Sequence, residues 1–431
     1  MQYPRVLIIN GEPLHNKSAT GLTMCSLFKD WPLDRLAQIS TGSLSPDLSV
    51  CPRHMRLSPA DLKLPQALRR NLAKRIQVLY SESSLPSPPT VGVQKVKQRS
   101  LFRVFKNHAA QFLYLREYDL SETTRKWISD FKPDIIYTML YEINVMTLVL
   151  QVSELMDIPI IPHFMDDWPA TLHLKYPVRT LLHWHSNRLL SRILDRSRLC
   201  LTISEMMADA YQQRYKKQCK SVMLCVDQDT IYSPPKTRQA EVVFTYIGGL
   251  HLKRWESLLE IRAALMEAQK AGCQVRCNIY THKHDVERYK HVLHLPPVMT
   301  VEGTLCHDEV EAIQRESDCL IYIESFARWQ KLFTRYSISS KIPEYLSVGR
   351  PVLVYGPEGI ASIEQLRSYK CGEIVTSRNK DDLARAIINI SNSPELREKY
   401  GKNALAACFS YHEASTQREN FRKYIVMGTG T

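Results

Sequence analysis

Ser337-Ile-Ser-Ser-Lys341-Ile-Pro-Glu344-Tyr-Leu-Ser-Val-Gly349-Arg-Pro-Val-Leu353 reads as a Ser-rich loop, a short helix near Lys341 to Val348, and the start of a strand, Pro351 to Tyr355. A spacing of three puts Lys341 and Glu344 on one helix face. An ammonium there can neutralise a diphosphate while the carboxylate accepts two vicinal ribose hydroxyls, which is the pair a nucleoside diphosphate requires. The competing reading is a capped surface helix with a weak ion pair. The loop residues Ser337, Ser339 and Ser340 can aim backbone N–H groups and a positive helix end at phosphate oxygens.

The same strand-to-helix alternation extends outward in both directions. Towards the N-terminus lie the strand Val242 to Ile247, a helix from Lys253 to Lys270, and the strands Val275 to Tyr280 and Cys319 to Ile323. Helices follow from Ile360 and from Asp381, and Tyr411 to Ile425 is a final amphipathic helix. The first half repeats the pattern: Arg5 to Asn10 into a helix near Gly21, Asp134 to Met139 into a helix to Met156, Ile158 to Phe164, helical Val178 to Leu194, and Leu199 to Ile203. The fold class is therefore α/β, with two doubly wound domains facing each other. The boundaries fall at 1–235, 236–410 and 411–431, with Ser233-Pro-Pro-Lys as linker and an insertion at 65–120 around the Ser/Pro-rich stretch Ser81 to Pro89. Ligands on such sheets bind beyond the carboxyl ends of the strands, so the cleft between the domains is the expected site.

Composition narrows the function classes. The chain has 431 residues, 44% hydrophobic and 23% charged, enough for two or three domains with real cores. Its most apolar stretch, Ile143 to Phe164, is broken by Gln151, Glu154 and Asp157 and cannot span a bilayer. The N-terminus lacks the basic start and long apolar core of a secretion signal, so a cytoplasmic protein is expected, with its 11 scattered Cys reduced. No CxxC or His/Cys cluster at zinc spacing occurs, so no metal and no other cofactor is expected. GxGxxG, Walker, HExxH and GxSxG motifs are absent, which removes the main support for dinucleotide, NTPase, zincin and hydrolase readings.

Lys341-Ile-Pro-Glu344-Tyr-Leu followed by Gly349-Arg-Pro-Val resembles the Glu-x-x-x-x-Gly-x-Pro-Val block of the GT-B glycosyltransferases, in particular the retaining family-four enzymes that use nucleotide-diphospho-sugars. Tyr246-Ile-Gly248-Gly249-Leu-His-Leu-Lys-Arg254 is similar to that family's strand end with a following basic residue, and Asp318 to Ser325 to the strand before the Glu block. The resemblance covers most of the chain in order, except 65–120, and implies a GT-B fold of two Rossmann-like domains with the C-terminal helix crossing back to the first. It implies Glu344 on the nucleotide ribose, and Arg254 and Lys341 on the diphosphate beside Gly248 and Gly249. In Ile161-Pro-His163-Phe-Met-Asp166-Asp167, His163 matches the residue that the family places beside the transferred sugar, and Asp166 and Asp167 can stabilise an oxocarbenium-like transition state. Taken by itself, the same stretch is a strand-end turn with a core histidine. Ser18-Ala-Thr20-Gly21 resembles the family's N-terminal loop at the donor phosphates or acceptor, and is otherwise an ordinary helix cap. Two positions depart from the pattern: Tyr336 stands where the family has a first Glu, and Gly249 where it has an Arg.

Of the net charge of +13, residues 65–120 contribute +7 and residues 174–199 contribute +5. Arg188, Arg192 and Arg196 recur at intervals of four on a helix whose other face is apolar, a pattern suited to an anionic membrane surface or to a solvated face over a core. Nucleic acid ranks lower, since no nucleic-acid module is present. The expected partners are a UDP- or GDP-sugar donor, a glycan or lipid-linked acceptor, and the inner face of a membrane met peripherally. The expected function is sugar transfer in surface polysaccharide or glycolipid synthesis. A non-catalytic nucleotide-sugar scaffold and a sugar epimerase are the alternatives on the same fold.

Overall fold

The computed structural model describes residues 3–16, 18–58, 61–63, 116–171, 179–227 and 241–430. The basic insertion expected at 65–120 lies outside them, save its last five residues, and so does the linker at 233–236. The chain divides into two compact units, Met1–Val222 with Arg418–Thr431, and Met223–Gln417.

In chain order the first unit contains β1 (Val6–Asn10), α1 (Ala19–Phe28), β2 (Leu36–Ser40), β3 (His54–Arg56), α2 (Glu122–Phe131), β4 (Ile135–Thr138) and α3 (Ile143–Met156). It continues with β5 (Ile160–Phe164), α4 (Trp168–Thr171), α5 (Arg179–Asp195), β6 (Leu199–Thr202), α6 (Glu205–Tyr215) and β7 (Gln218–Ser221). The strands form one parallel sheet in the order β3-β2-β1-β4-β5-β6-β7. β1, β4 and β5 are buried at every position, which is why they read as unbroken apolar runs rather than as alternations. Serine side chains start three of the helices: Ser18, Ser121 and Ser204 accept from the backbone N–H three residues on.

The second unit contains β8 (Val242–Ile247), α7 (Arg254–Lys270), β9 (Val275–Tyr280), α8 (Lys283–Leu293), β10 (Met299–Glu302), α9 (His307–Glu316) and β11 (Cys319–Ile323). Then come α10 (Arg328–Thr334), α11 (Lys341–Ser347), β12 (Val352–Tyr355), α12 (Ala361–Tyr369), β13 (Ile374–Val375), α13 (Lys380–Asn392) and α14 (Pro394–Ala407). This sheet is also parallel, in the order β10-β9-β8-β11-β12-β13. In each sheet the strand order reverses beside the first strand, between β1 and β4 and between β8 and β11, and ligands of doubly wound folds bind beyond such switch points.

The last helix, α15 (Ala414–Thr429), begins later than the sequence suggests, after a π-helical turn at Cys408–His412. Glu413 caps it, accepting from Ser415 N and Thr416 N at 2.9 Å each. From Arg418 onward it belongs to the first unit, where the Phe421 ring stands edge-on to Phe28 at 4.9 Å and to Tyr137 at 5.8 Å. Gly428 lies against Ile135 and Ile161, so the terminal helix closes one face of the first sheet.

Candidate functional site

In the second unit the chain leaves β8 at Ile247 and β11 at Ile323, and the residues just beyond converge with the start of α11. Glu324 Oε1 accepts from Arg254 Nη2 at 3.0 Å and from the Tyr322 hydroxyl at 2.6 Å. Both partners of the ion pair are enclosed, with side-chain exposures of 13% for Arg254 and 4% for Glu324. Burial works against the Arg254 charge, but Glu324 more than offsets it and holds the guanidinium firmly protonated. Glu324 Oε2 and Arg254 Nε are buried and have no hydrogen-bond partner among the described residues.

Lys341 enters from α11, its Nζ 4.8 Å from the centre of the Tyr246 ring. Burial and then the neighbouring Arg254 push its ammonium down to about 7, against the opposing pull of Glu324 and Glu344. Gly248 makes this possible: its φ is +149°, and a Cβ there would fall far inside contact distance of Lys341 Nζ. Gly249 lies alongside, its carbonyl accepting from the Tyr246 hydroxyl at 2.8 Å, and Asp285 Oδ2 takes the next amide, Leu250 N, at 2.8 Å. Glu344 follows Lys341 on the same short helix and is half-buried.

The structure thus brings Gly248, Gly249, Arg254, Lys341 and Glu344 together around one strand-end position. The Ser-rich loop is more internally committed than its sequence suggests. Ser337 N donates to Thr334 O at 3.1 Å, and Ser339 N donates to Ser362 Oγ at 3.1 Å. Ser339 Oγ accepts from Lys341 N at 3.4 Å, and Ser340 occupies the cap position without a side-chain cap bond. Tyr336, in place of a carboxylate, is buried with the Arg335 guanidinium 5.0 Å over its ring.

The residues singled out in the first unit fall into different environments. His163 lies within β5 with no exposed surface, and its Nδ1 is 2.7 Å from the Tyr137 hydroxyl. Burial pushes its imidazole down to about 3, so the ring is neutral. It sits beside the aromatic group that Tyr137, Phe28 and Phe421 form, the geometry of a core histidine. Asp167 is also internal, accepting from Arg214 Nη1 at 2.7 Å and from the Tyr211 hydroxyl at 2.8 Å. Asp166 instead accepts from the Tyr141 hydroxyl at 3.0 Å and keeps part of its surface.

Around the ends of β1 and β4 a second group forms. Ser18 Oγ accepts from Gly21 N at 3.1 Å and donates to Glu12 Oε2 at 2.9 Å, while His15 Nε2 is 3.2 Å from the same oxygen. Gly21 has no side chain because the His15 carbonyl occupies that space. Thr20, half-buried, is on the first turn of the same helix. Glu142 Oε1 lies 2.9 Å from where a Gly11 Cβ would be, and burial followed by the nearby Glu12 raises its carboxyl above the usual range.

Sequence reasoning gave no role to Glu324, Asp285, Glu12, His15 or Glu142. Glu324 had a signal, a carboxylate directly after the apolar run Cys319–Ile323. Asp285 had none, since it reaches Leu250 across 35 residues. The arginine stripe of α5 is also less available than its spacing implies: Arg192 pairs with Glu154 at 2.7 Å and Arg196 with Asp157 at 3.2 Å, both carboxylates carried by or directly following α3.

No protein-family model matches the sequence, and no curated protein matches it. Solved structures do. The chain is similar to Anabaena HepE in complex with UDP at a TM-score of 0.63 and 14% identity, covering 98% of this chain and 100% of that one. Against sucrose-phosphate synthase from Thermosynechococcus elongatus the TM-score is 0.61 at 12% identity, covering 99% of both chains. Against the E. coli trehalose-6-phosphate synthase bound with UDP-2-fluoro glucose it is 0.60 at 12% identity, covering 96% and 98%. The fold is that of the GT-B glycosyltransferases, two parallel α/β sheets of 7 and 6 strands.

Proposed function

We propose that the protein is a glycosyltransferase that takes a sugar from a nucleotide-diphospho-sugar bound on its second unit. The observation that carries this reading is the strand-end cluster of Arg254 and Lys341 against one buried carboxylate, Glu324, beside Gly248. Two cations share one enclosed counter-charge, and a diphosphate would supply the missing negative charge where little water competes. Glu344 is assigned to the ribose hydroxyls, three residues along α11 from Lys341. Departure of the sugar leaves charge on the diphosphate, and fixed cations at that point stabilise the leaving group without reorganising. The family resemblance implies retention at the anomeric carbon. UDP and UDP-2-fluoro glucose accompany two of the structures with this fold, which favours UDP over GDP as the nucleotide.

The acceptor is assigned to the first unit, where Glu12, Ser18, Tyr141 and Asp166 offer the hydroxyl-binding groups a glycan needs. Thr20 and Gly21 belong to this side. His163 and Asp167 support it from within the unit as packing and ion-pair residues rather than as sugar contacts. A surface polysaccharide or glycolipid acceptor at a membrane fits the two basic segments. The buried Tyr336 at the family's first Glu position favours a second reading, a nucleotide-sugar-binding scaffold without turnover.

Thermal unfolding with UDP, GDP and their sugars tests the donor assignment. Glu344→Ala should weaken nucleotide binding by about 1–3 kcal/mol through loss of charge-assisted bonds to the ribose. Unchanged affinity would remove Glu344 from the site, and binding without donor hydrolysis or transfer would favour the scaffold.

A further inference from the structure

Between Glu324 and Lys341 the chain makes an excursion, α10, whose sequence Arg328-Trp-Gln-Lys-Leu-Phe-Thr serves no core. Trp329 is 58% exposed, Leu332 39% and Phe333 37%, and of the helix only Thr334 is buried. Spacings of three and four put these three apolar side chains on one face. Arg328, Lys331 and Arg335 recur at the same intervals along the flank, all exposed and none in an ion pair among the described residues. The segment 325–336 contains these three cations and no acid.

A seven-residue helix is too short to persist on propensity alone, and surface helices ordinarily bury their apolar face. This one shows water a Trp, a Leu and a Phe, so its composition has to answer to something other than the unit's interior. An apolar face holding an indole, flanked by cations that form no ion pair among the described residues, is the pattern of a helix lying in a lipid interface: the rings enter the headgroup boundary and the cations meet lipid phosphates. We infer that α10 docks on an anionic lipid bilayer through Trp329, Leu332 and Phe333, with Arg328, Lys331 and Arg335 against the headgroups. This contact belongs to the second unit, apart from the basic segments of the first, and does not depend on the donor assignment.

The test is sedimentation of the full chain with vesicles of phosphatidylcholine alone or containing phosphatidylglycerol. Wild type should bind the anionic vesicles at least ~10-fold more tightly, and the W329S/L332S/F333S and R328Q/K331Q/R335Q variants should each lose ~10-fold or more of that binding. Bromine-labelled acyl chains should quench tryptophan emission in wild type, and W329F should lose the quenching while still binding. Equal binding of wild type and both triple variants overturns the assignment, as does wild-type binding to neither vesicle. A wild type that dimerises through this face, or binds a soluble acidic oligosaccharide but no bilayer, overturns it too. A marked fall in unfolding temperature of the apolar triple variant would show that the chain itself covers α10, with the same consequence. The UDP-induced thermal shift, followed on the same variants, reports separately on the donor reading.

Discussion

At the end of β1 the chain reads Asn10-Gly11-Glu12, and at the end of β8 it reads Ile247-Gly248-Gly249. Each sheet reverses its strand order beside that strand, and each glycine makes room for a charged head group from another segment. In the first unit the visitor is the Glu142 carboxylate, in the second the Lys341 ammonium. The fold thus creates the same position twice, and the side chains give it opposite signs: carboxylates and phenols in one unit, two cations on one buried carboxylate in the other. Topology says where a ligand can bind, and local charge says which kind.

The two glycines offer the sharpest way to break this comparison. At Gly248 a φ of +149° and the crowded Lys341 Nζ act together, so Gly248→Ala should displace the ammonium and weaken UDP binding roughly hundredfold or more. At Gly11 the Cβ would meet only the movable end of Glu142, 2.9 Å away, so Gly11→Ala should cost about 1 kcal/mol of stability or less and leave UDP affinity unchanged. Calorimetry with UDP on both variants decides. Equal losses would mean that the two strand ends do not divide donor from acceptor.

Glu324→Gln probes the buried counter-charge. It keeps the shape and an acceptor for the Tyr322 hydroxyl but leaves Arg254 enclosed and uncompensated, at a cost of about 3 kcal/mol and hence several degrees in Tm. A bound diphosphate would replace the lost charge, so the UDP-induced thermal shift should be larger in this variant than in wild type. A smaller shift would place the diphosphate away from Arg254.

How much of this was legible follows from the kind of signal each residue carries. Strands buried on both faces announce themselves as apolar runs, which is how β1, β4, β8, β11 and β12 could be read. The same property hid the surroundings of His163: with every position of β5 buried, no alternation tells which face the ring takes, and only the structure shows it meeting Tyr137. β7, Gln-Cys-Lys-Ser at the sheet edge, carries no apolar pattern at all. Lys341 and Glu344 were legible because they are local, three apart on one turn, whereas the Arg254–Glu324 pair spans 70 residues and exists only once β8 and β11 lie side by side. α10 is harder to read, because the helical spacing of Trp329, Leu332 and Phe333 runs for little more than one turn, too short a stretch for periodicity to single out a helix.

The smallest expected effect is the one that tests the sign of the proposed donor site through protons alone. With Lys341 near 7 in the free protein, its ammonium is largely present below pH 6, half present at pH 7 and largely absent above pH 8. A diphosphate favours the charged form and raises that value, so binding above pH 7 must take up a proton, and UDP affinity should fall by up to about tenfold per unit between pH 7 and 9. In the absence of nucleotide the same group binds fewer protons folded than unfolded, so its contribution makes stability rise with pH across that window. The two slopes must therefore have opposite signs. Lys341→Arg keeps the charge at every pH and should flatten both, whereas a slope surviving in that variant would belong to another group and would leave the cationic strand end without its titrating member.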